Sequence, residues 1–316
     1  MAALLEVDRL VTSRIGGPAL VDGVSFSLEP GKMLGLVGES GCGKSLTALS
    51  IMGLLPSGLE RTSGQTRLLG KPITAADRGK QLAMVFQEPA AALNPVLPIG
   101  AQISETLQVH LKLDRRAARV RAIELMRAVG IADAAERFDA WPHQLSGGMR
   151  QRVLIAAAIA CDPKVLIADE PTTALDVTIQ AQILDILREL SSRLGLSTIM
   201  ITHNLGVIAE FAERVIVMYT GKVREEAPVV ELFKNPLHPY TQGLLHSMPK
   251  LGQSEHKRLP TIEGMVPDLL HLPTGCSFYD RCPKRMDHCK TAEPPLLEVS
   301  PGHKVACYLY SAPPAG

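Results

Sequence analysis

The sequence predicts an α/β fold built around a mostly parallel sheet. Short apolar segments bounded by Gly, Pro or acidic residues indicate buried strands, and longer segments with apolar residues at helical spacing indicate helices. The predicted strands cover residues 20–28, 33–37, 84–86, 165–168, 197–202 and 214–218, and the predicted helices lie at 44–52, within 99–129 and at 177–194. Because strands and helices alternate along the chain, the strands are expected to pair mainly in parallel.

Charge and hydropathy exclude several classes of protein. The 316 residues include 33 basic and 32 acidic residues, so no chain-wide positive field attracts nucleic acid or anionic lipid. An apolar share of 46% is ordinary for a globular protein with a sizeable core. The most apolar stretches, 153–161 and 165–168, fall well short of the ~20 apolar residues that span a bilayer. Residues 1–10 lack the pattern of an export signal, so we expect a reducing compartment and membrane attachment only through a partner.

A glycine-rich segment follows the strand at 33–37. It consists of Gly38, Glu39, Ser40, Gly41, Cys42, Gly43, Lys44 and Ser45, and we call it the phosphate loop because it matches the pattern that binds nucleotide phosphates between a strand and a helix. Its glycines let backbone N–H groups turn toward the phosphates, and the helix amino terminus adds partial positive charge. Lys44 is expected to reach the outer phosphates and Ser45 to hold Mg²⁺. A chance glycine-rich turn is a poor alternative, since Lys and Ser stand at the required offset.

Two carboxylates follow the buried strand at 165–168. Asp169 is suited to the surroundings of the Mg²⁺ ion, and Glu170 to polarising a water for in-line attack on the γ-phosphate. The plain alternative is a solvated strand end, because paired acids after an apolar strand are common. With the phosphate loop these acids indicate a P-loop NTPase, and they leave GTPases, helicases and small-molecule kinases open.

A third motif narrows these classes. The segment Leu145-Ser146-Gly147-Gly148-Met149-Arg150-Gln151 precedes the strand at 165–168 and resembles the signature sequence of ABC ATPases. Ser146 and the two glycines open a predicted helix, which offers a second anion-binding amino terminus. The resemblance implies that Ser146, Gly147 and Gly148 bind ATP held by the opposite subunit of a cassette pair.

Three further landmarks stand in the order typical of this family. They are Gln87 after the strand at 84–86, Ala174-Leu175-Asp176 after Glu170, and His203 after the strand at 197–202. The resemblance implies that Gln87 senses Mg²⁺ and γ-phosphate and couples to the membrane subunit. It also implies that Asp176 lies at the subunit contact and that His203 contacts the γ-phosphate. Taken singly, such a histidine would more often be structural. Many members stack adenine on an aromatic residue before the phosphate loop, but residues 12–20 contain none, and Ile15 is the apolar substitute there.

The resemblance implies a RecA-like P-loop NTPase fold. We expect an α/β ABC ATPase core over 1–227, with an antiparallel β subdomain and an α-helical subdomain at about 100–150, followed by a Cys-containing C-terminal extension over 228–316. The boundary is placed near Pro228 because Pro, His and Cys recur beyond it. Two cassettes would meet head to tail, with each ATP between Lys44 of one and Ser146 of the other.

Two segments indicate a subfamily. Residues 87–95 and the tail from 235 to 307 resemble the ATPases of dipeptide and oligopeptide importers. That resemblance implies ATP-driven peptide uptake at the cytoplasmic face of the membrane, without nucleic acid. The implied partners are a second, related ATPase chain, two membrane permease subunits and an extracytoplasmic substrate-binding protein. Importers of nickel, glutathione or another small solute remain alternatives. ABC ATPases that act outside transport and an ATP-binding module without turnover are more distant ones.

Four cysteines of the tail form what we call the thiol cluster, namely Cys276, Cys282, Cys289 and Cys307. In a reducing compartment such a group favours a metal or cofactor over disulfides. The spacings lack the C-x-x-C pairs usual for structural zinc, whereas four thiolates suit a [4Fe-4S] cluster, which the family resemblance also implies. Zinc, with His288 or His303 replacing a thiolate, and unliganded cysteines are the alternatives. A metal cluster here would stabilise the tail rather than transfer electrons.

Overall fold

The computed structural model describes residues 3–173, 175–248 and 261–311. Contacts divide the chain into two compact units: the first comprises residues 1–3, 28–32 and 73–201, and the second comprises residues 4–27, 33–72 and 202–316. The signature motif and the paired acids therefore belong to the first unit. The phosphate loop, His203 and the thiol cluster belong to the second.

The described strands and helices alternate along much of the chain. The strands are β1 (Leu5–Arg14), β2 (Ala19–Leu28), β3 (Met33–Val37), β4 (Leu59–Leu68), β5 (Lys71–Pro72), β6 (Leu82–Val85), β7 (Val165–Asp169), β8 (Ser197–Thr202), β9 (Arg214–Tyr219), β10 (Lys222–Pro228), β11 (Leu297–Ser300) and β12 (His303–Val305). The helices are α1 (Lys44–Met52), α2 (Pro89–Ala92), α3 (Ile99–Leu111), α4 (Arg115–Ala128), α5 (Ala134–Arg137), α6 (Gly147–Ala158), α7 (Val177–Leu194), α8 (Leu205–Phe211), α9 (Val229–Lys234) and α10 (Pro239–His246). Short 3₁₀ helices lie at Ala75–Asp77, Pro142–Gln144, Tyr279–Arg281 and Asp287–Lys290.

The first unit contains parallel strands and a group of helices. β6 and β8 both pair in parallel with β7, and the residues of β7 are all buried, which explains the unbroken apolar sequence of residues 165–168. In the helical part, α3 packs on α4, and Gly100 leaves room for the Phe138 ring, whose Cδ2 would lie 2.2 Å from an added Cβ. Asp114 caps α4 by accepting the N–H of Ala117 at 2.8 Å.

The second unit contains an antiparallel sheet near the amino terminus, with the strand order β2-β1-β4-β5. It also contains β3 and β9, which pair in parallel, followed outward by the antiparallel strands β10, β12 and β11. The pairing of β10 with β12 joins the predicted extension to strands that precede it. The parallel strands, the antiparallel sheet and the helical part confirm the predicted fold class. The domain limits 1–227 and 228–316 stay predictions.

Among the described residues, no helix combines the length and apolarity that crossing a bilayer requires.

Candidate functional site

The backbone of the phosphate loop can be formed only with glycine at two positions. Gly38 has φ 153°, and a Cβ there would lie 2.3 Å from the carbonyl oxygen of Met218. Gly43 has φ 97° and immediately precedes α1, so that the helix amino terminus opens directly on the loop. Gly41, with φ 79°, completes the turn. These conformations fit the predicted cradle for phosphate.

The ammonium group of Lys44 is held inside the loop. Its Nζ donates to the carbonyl oxygens of Gly38 at 2.8 Å and of Glu39 at 3.0 Å, and the side chain is buried. The charge therefore already points along the loop that would surround the phosphates. Ser45 follows it and is half-buried, whereas Ser40 and Gly41 are exposed at the tip.

Cys42 occupies one of the variable positions of the phosphate loop. The thiol is fully buried, and burial raises its pKa above the ordinary value for cysteine. Its carbonyl oxygen accepts the N–H of Gly221 at 2.9 Å, which ties the loop to the turn between β9 and β10. This geometry supports a structural position for Cys42 within the loop.

Glu170 is a buried acid of the first unit that several hydrogen bonds hold in place. It has φ 43°, a strained value for a residue with a side chain, and its N–H donates to the carbonyl oxygen of Ile201 at 2.9 Å. Its Oε2 accepts hydrogen bonds from Thr173 Oγ1 at 2.8 Å and from Gln87 Nε2 at 3.3 Å. The structure therefore brings Gln87 and Glu170 together, as a shared role in hydrolysis requires. Asp169, the last residue of β7, is buried and immediately precedes Glu170.

The signature motif begins α6. Ser146 is the N-cap residue, and its Oγ accepts the N–H of Met149 at 3.3 Å. Ser146 and Gly147 are exposed, while Gly148 is buried. A Cβ at Gly148 would lie 2.6 Å from Cγ2 of Ile179. The amino terminus of a twelve-residue helix thus faces solvent and can accept an anion.

Asp176 and His203 are both exposed. Asp176 is the N-cap residue of α7, where its Oδ1 accepts the N–H of Ile179 at 3.0 Å. The next residue, Val177, is 81% exposed. Ala174 lies outside the described residues. His203 follows β8 in the segment before α8.

The cysteines of the thiol cluster line one small cavity in the second unit, together with aromatic residues such as Phe278 and Tyr308. All four are free thiols. Burial above all, together with the charges of the other three thiols, raises the pKa of Cys307 to about 11, as expected for groups that share one cavity. Among the described residues, no three Cys, His, Asp or Glu side chains form a group close enough to hold a single metal ion.

The two histidines considered as zinc ligands differ. His303 is engaged elsewhere, because its Nε2 donates to Glu225 Oε1 at 2.8 Å. His288 packs its ring against Tyr308 at 4.9 Å, and its buried Nε2 has no hydrogen-bond partner within the described part of the chain. The four thiols therefore line one cavity, but among the described residues they do not form a metal-binding group.

Two residues of the extension contact the phosphate loop, and the sequence did not single them out. Arg281 donates from Nη1 and Nη2 to the two carboxylate oxygens of Glu39, at 2.7 and 2.9 Å. The hydroxyl of Tyr240 accepts the N–H of Glu39 at 2.8 Å. His238, fully buried, caps α10 by accepting the N–H of Tyr240 at its Nδ1. The tail run 235–241 was the available signal, and its contact with the loop appears only in three dimensions.

Comparisons with known proteins agree with this arrangement. The family model described as ABC transporter matches residues 21–173, and the model described as oligopeptide/dipeptide transporter, C-terminal region, matches residues 224–289. The oligopeptide transport ATP-binding protein AppD of Bacillus subtilis (strain 168) is 50% identical over 98% of this chain and 98% of its own length. The probable peptide ABC transporter ATP-binding protein y4tR of Sinorhizobium fredii is 47% identical over 96% of this chain and 94% of its own.

Solved structures show the same fold. The cbiO1 protein of Clostridium perfringens, described as part of the ABC transporter complex cbiONQ, superposes with a TM-score of 0.64 and 27% identity over 74% of this chain and 92% of that chain. The ATP-binding cassette MJ0796, described as a dimer in a post-hydrolysis state bound to ADP and Pi, gives 0.63 and 27% over 71% and 98%. With close relatives along nearly its whole length, the chain belongs to the ATP-binding proteins of ABC transporters, in the branch that carries the oligopeptide/dipeptide transporter C-terminal region.

Proposed function

We propose that this chain is the ATP-hydrolysing subunit of an importer of di- or oligopeptides and works at the cytoplasmic face of the membrane. The observation that carries the proposal is the fixed Glu170 carboxylate beside Gln87 in a chain that also has a complete phosphate loop. The peptide substrate is supported by relatives whose names specify oligopeptide or peptide transport. Importers of nickel, glutathione or another small solute stay as alternatives.

ATP would bind with its phosphates in the loop, where Ser45 would hold Mg²⁺. Gln87 and Asp169 of the first unit are the other candidate Mg²⁺ ligands that the sequence predicts. The ion would neutralise charge that develops on the phosphate oxygens. Lys44 would exchange the carbonyl oxygens of Gly38 and Glu39 for phosphate oxygens, a short movement because its Nζ already lies inside the loop. Glu170, oriented by Thr173 and Gln87, would accept the proton of the attacking water, and His203 would contact the γ-phosphate.

A second ATPase chain would complete each site. The exposed amino terminus of α6 at Ser146 and Gly147 can bind phosphate held by a partner. Asp176 and the exposed Val177 offer a contact surface at the start of α7. The matched cassette MJ0796 is described as dimeric. We therefore propose a head-to-tail pair, with a related second chain, two permease subunits and an extracytoplasmic substrate-binding protein as partners.

The hydrolysis assignment can be tested with Glu170→Gln. The amide keeps the shape and the hydrogen bond from Thr173 but cannot accept a proton, so Mg²⁺-dependent turnover should fall by about two or more orders of magnitude while ATP binding persists. Glu298→Gln, at an exposed position of β11, is the matched control and should hydrolyse ATP normally. Unchanged turnover in the Glu170 variant would refute the assignment.

Co-purification of the native complex tests the importer assignment. Peptide binding by the substrate-binding protein that accompanies this chain is the expected result. If the accompanying substrate-binding protein binds nickel or glutathione instead, that solute would replace peptides as the assigned substrate. Recovery of the chain with DNA-repair or ribosomal proteins would refute the transport assignment altogether.

A [4Fe-4S] cluster is the group that best fits the thiol cluster. Four thiols surround one cavity, yet no three donors among the described residues converge on a single point. In a four-iron cluster each thiolate binds a different iron, so the sulfur atoms need not converge, whereas tetrahedral zinc requires it. The group would hold the segments around Cys276, Cys289 and Cys307 together.

Iron and zinc content of the anaerobically purified chain, with its visible absorption, tests this proposal. Cys282→Ser should lose bound iron, and the control Cys161→Ser, whose thiol lies in the first unit, should keep it. Stoichiometric zinc, or no metal in the wild-type chain, would refute the iron–sulfur assignment.

A further inference from the structure

The phosphate loop carries a negative charge of its own. Glu39 is the second residue of the loop, its carbonyl oxygen accepts from Lys44 Nζ, and its side chain is 29% exposed. A loop built to attract phosphate gains nothing from a carboxylate, because like charges in one site repel. The charge on Glu39 therefore needs compensation before a nucleotide can bind well.

Arg281 is the group in contact with that carboxylate. Both terminal nitrogens donate to it in the paired geometry that suits guanidinium and carboxylate, and the Arg281 side chain is only 5% exposed. The guanidinium of an arginine in a protein is always charged, so this contact is an ion pair. Such a partly buried, two-point ion pair is screened less by salt than an exposed pair.

Other contacts fix the direction of the guanidinium. Nη1 also donates to the hydroxyl of Tyr219 at 3.2 Å, and Nε donates to the carbonyl oxygen of Glu263 at 3.0 Å. The guanidinium carbon, Cζ of Arg281, lies 5.7 Å from the centre of the Tyr219 ring and 5.9 Å from the centre of the Phe278 ring. With so many partners, the side chain is held in one orientation toward the loop.

We propose that Arg281 of the C-terminal extension is a positioning residue for nucleotide binding, which supplies the counter-charge of Glu39 and so makes the phosphate loop competent for ATP. The inference rests on the proposed ATPase function and adds a requirement for the extension. Arg281 immediately precedes Cys282 of the thiol cluster. Disturbance of the cluster should therefore weaken nucleotide binding through this one contact.

A double-mutant cycle on the full chain tests the proposal. The measurement is the equilibrium Kd of a fluorescent ATP analogue with Mg²⁺, for Arg281→Met, Glu39→Gln and the combination of the two. Arg281→Met should bind on the order of tenfold more weakly, because the Glu39 charge is then uncompensated. Glu39→Gln should bind within about threefold of wild type, and the double variant should return to that level. The KM for ATP should rise with the Kd in Arg281→Met and return toward the wild-type value in the double variant.

Arg285→Met is the matched control. Arg285 lies in the same segment and stacks on an aromatic ring, that of Tyr279 at 5.7 Å, but it is exposed. Its Kd should equal that of wild type. Arg281→Lys keeps the charge and should bind better than Arg281→Met, which covers the case in which the Met variant does not fold.

Three results would overturn the proposal. They are an unchanged Kd in Arg281→Met, a double variant as weak as Arg281→Met alone, or an Arg285→Met variant that loses as much affinity. Failure of the wild-type chain to bind the nucleotide at all would refute the proposed function instead, so the two failures are distinguishable.

Discussion

Replacement of Glu225 by Gln should destabilise the second unit through a single buried carboxylate. Glu225 lies in β10 and is completely buried. Its Oε1 accepts the N–H of Leu237 at 2.8 Å and the Nε2–H of His303 at 2.8 Å, and its Oε2 accepts the N–H of His238 at 2.9 Å. One carboxylate thus satisfies three donors from two different segments of the tail.

An amide cannot reproduce this pattern. If the amide oxygen introduced by Glu225→Gln faced Leu237 and His303, the NH₂ group of the new side chain would face the N–H of His238, and two donors would meet. Hydrogen bonds to a charged acceptor contribute about 1.5–3 kcal/mol each, and a buried donor left without a partner costs about 1–3 kcal/mol. The expected loss is therefore about 3 kcal/mol, a large share of the ~5–15 kcal/mol by which most domains are stable.

Urea unfolding and hydrogen exchange measure the effect. With a slope of about 2–3 kcal/mol per molar, the unfolding midpoint should fall by roughly 1 M. Amide exchange should accelerate most at residues 237–246, because Glu225 holds the start of α10. Glu298→Gln serves again as the control, since its exposed carboxylate accepts only a surface N–H, that of Gly302, and the free energy of unfolding should change by less than about 0.5 kcal/mol.

A midpoint for Glu225→Gln within about 0.2 M of wild type would refute this reasoning. It would mean that the segment begins α10 without the carboxylate. The outcome also bears on nucleotide binding, because α10 carries Tyr240, whose hydroxyl accepts the N–H of Glu39.

Two further predictions concern the loop and the tail histidine. Gly38→Ala should fold but lose detectable ATP binding, because its Cβ would lie 2.3 Å from the Met218 carbonyl oxygen. Gly70→Ala is the control, since Gly70 has φ 75° and no atom lies near the added Cβ. This control should lose only about 1 kcal/mol of stability in thermal unfolding and should bind ATP normally. Burial lowers the pKa of His238 from 6.5 to about 3. Between pH 6.5 and 3 the unfolded chain therefore binds a proton at this residue that the folded chain does not. The contribution of His238 to stability is complete above pH 6.5 and falls as the pH drops toward 3. Urea titrations should show that the free energy of unfolding is about 1 kcal/mol lower at about pH 5.5 than at about pH 7.5. His238→Asn should abolish this difference while keeping a cap for Tyr240. An equal difference in the wild-type chain and the variant would contradict the assignment.

The sequence predicted what is encoded locally. Met33–Val37 and residues 165–168 are unbroken apolar runs, followed by Gly38 and by the acids Asp169 and Glu170. Such patterns specify buried strands and the turns after them. β4 was missed, because it is largely polar and exposed and depends on pairing with β1. Its strand character is a product of the sheet rather than of its own residues.

The candidate site was predictable in the same uneven way. Each motif residue could be named, since order and spacing identify them, and the hydrogen bond between Gln87 and Glu170 agrees with the roles predicted for them. The contact between Glu39 and Arg281 joins residues 242 positions apart, and nothing in the neighbourhood of either marks the other. Periodicity and motifs in the sequence do not predict long-range pairs of this kind.

The parallel pairing of β3 with β9 has a consequence for synthesis of the chain on the ribosome. Met33 donates its N–H to Glu213, 180 positions later, so the wholly apolar strand that leads into the phosphate loop emerges long before its neighbour. At about 5–20 residues per second the delay is on the order of ten to forty seconds. During that interval the nascent polypeptide exposes an apolar, unpaired segment. The yield of the protein in cells should therefore depend on chaperones that cover this segment until β9 has been synthesised.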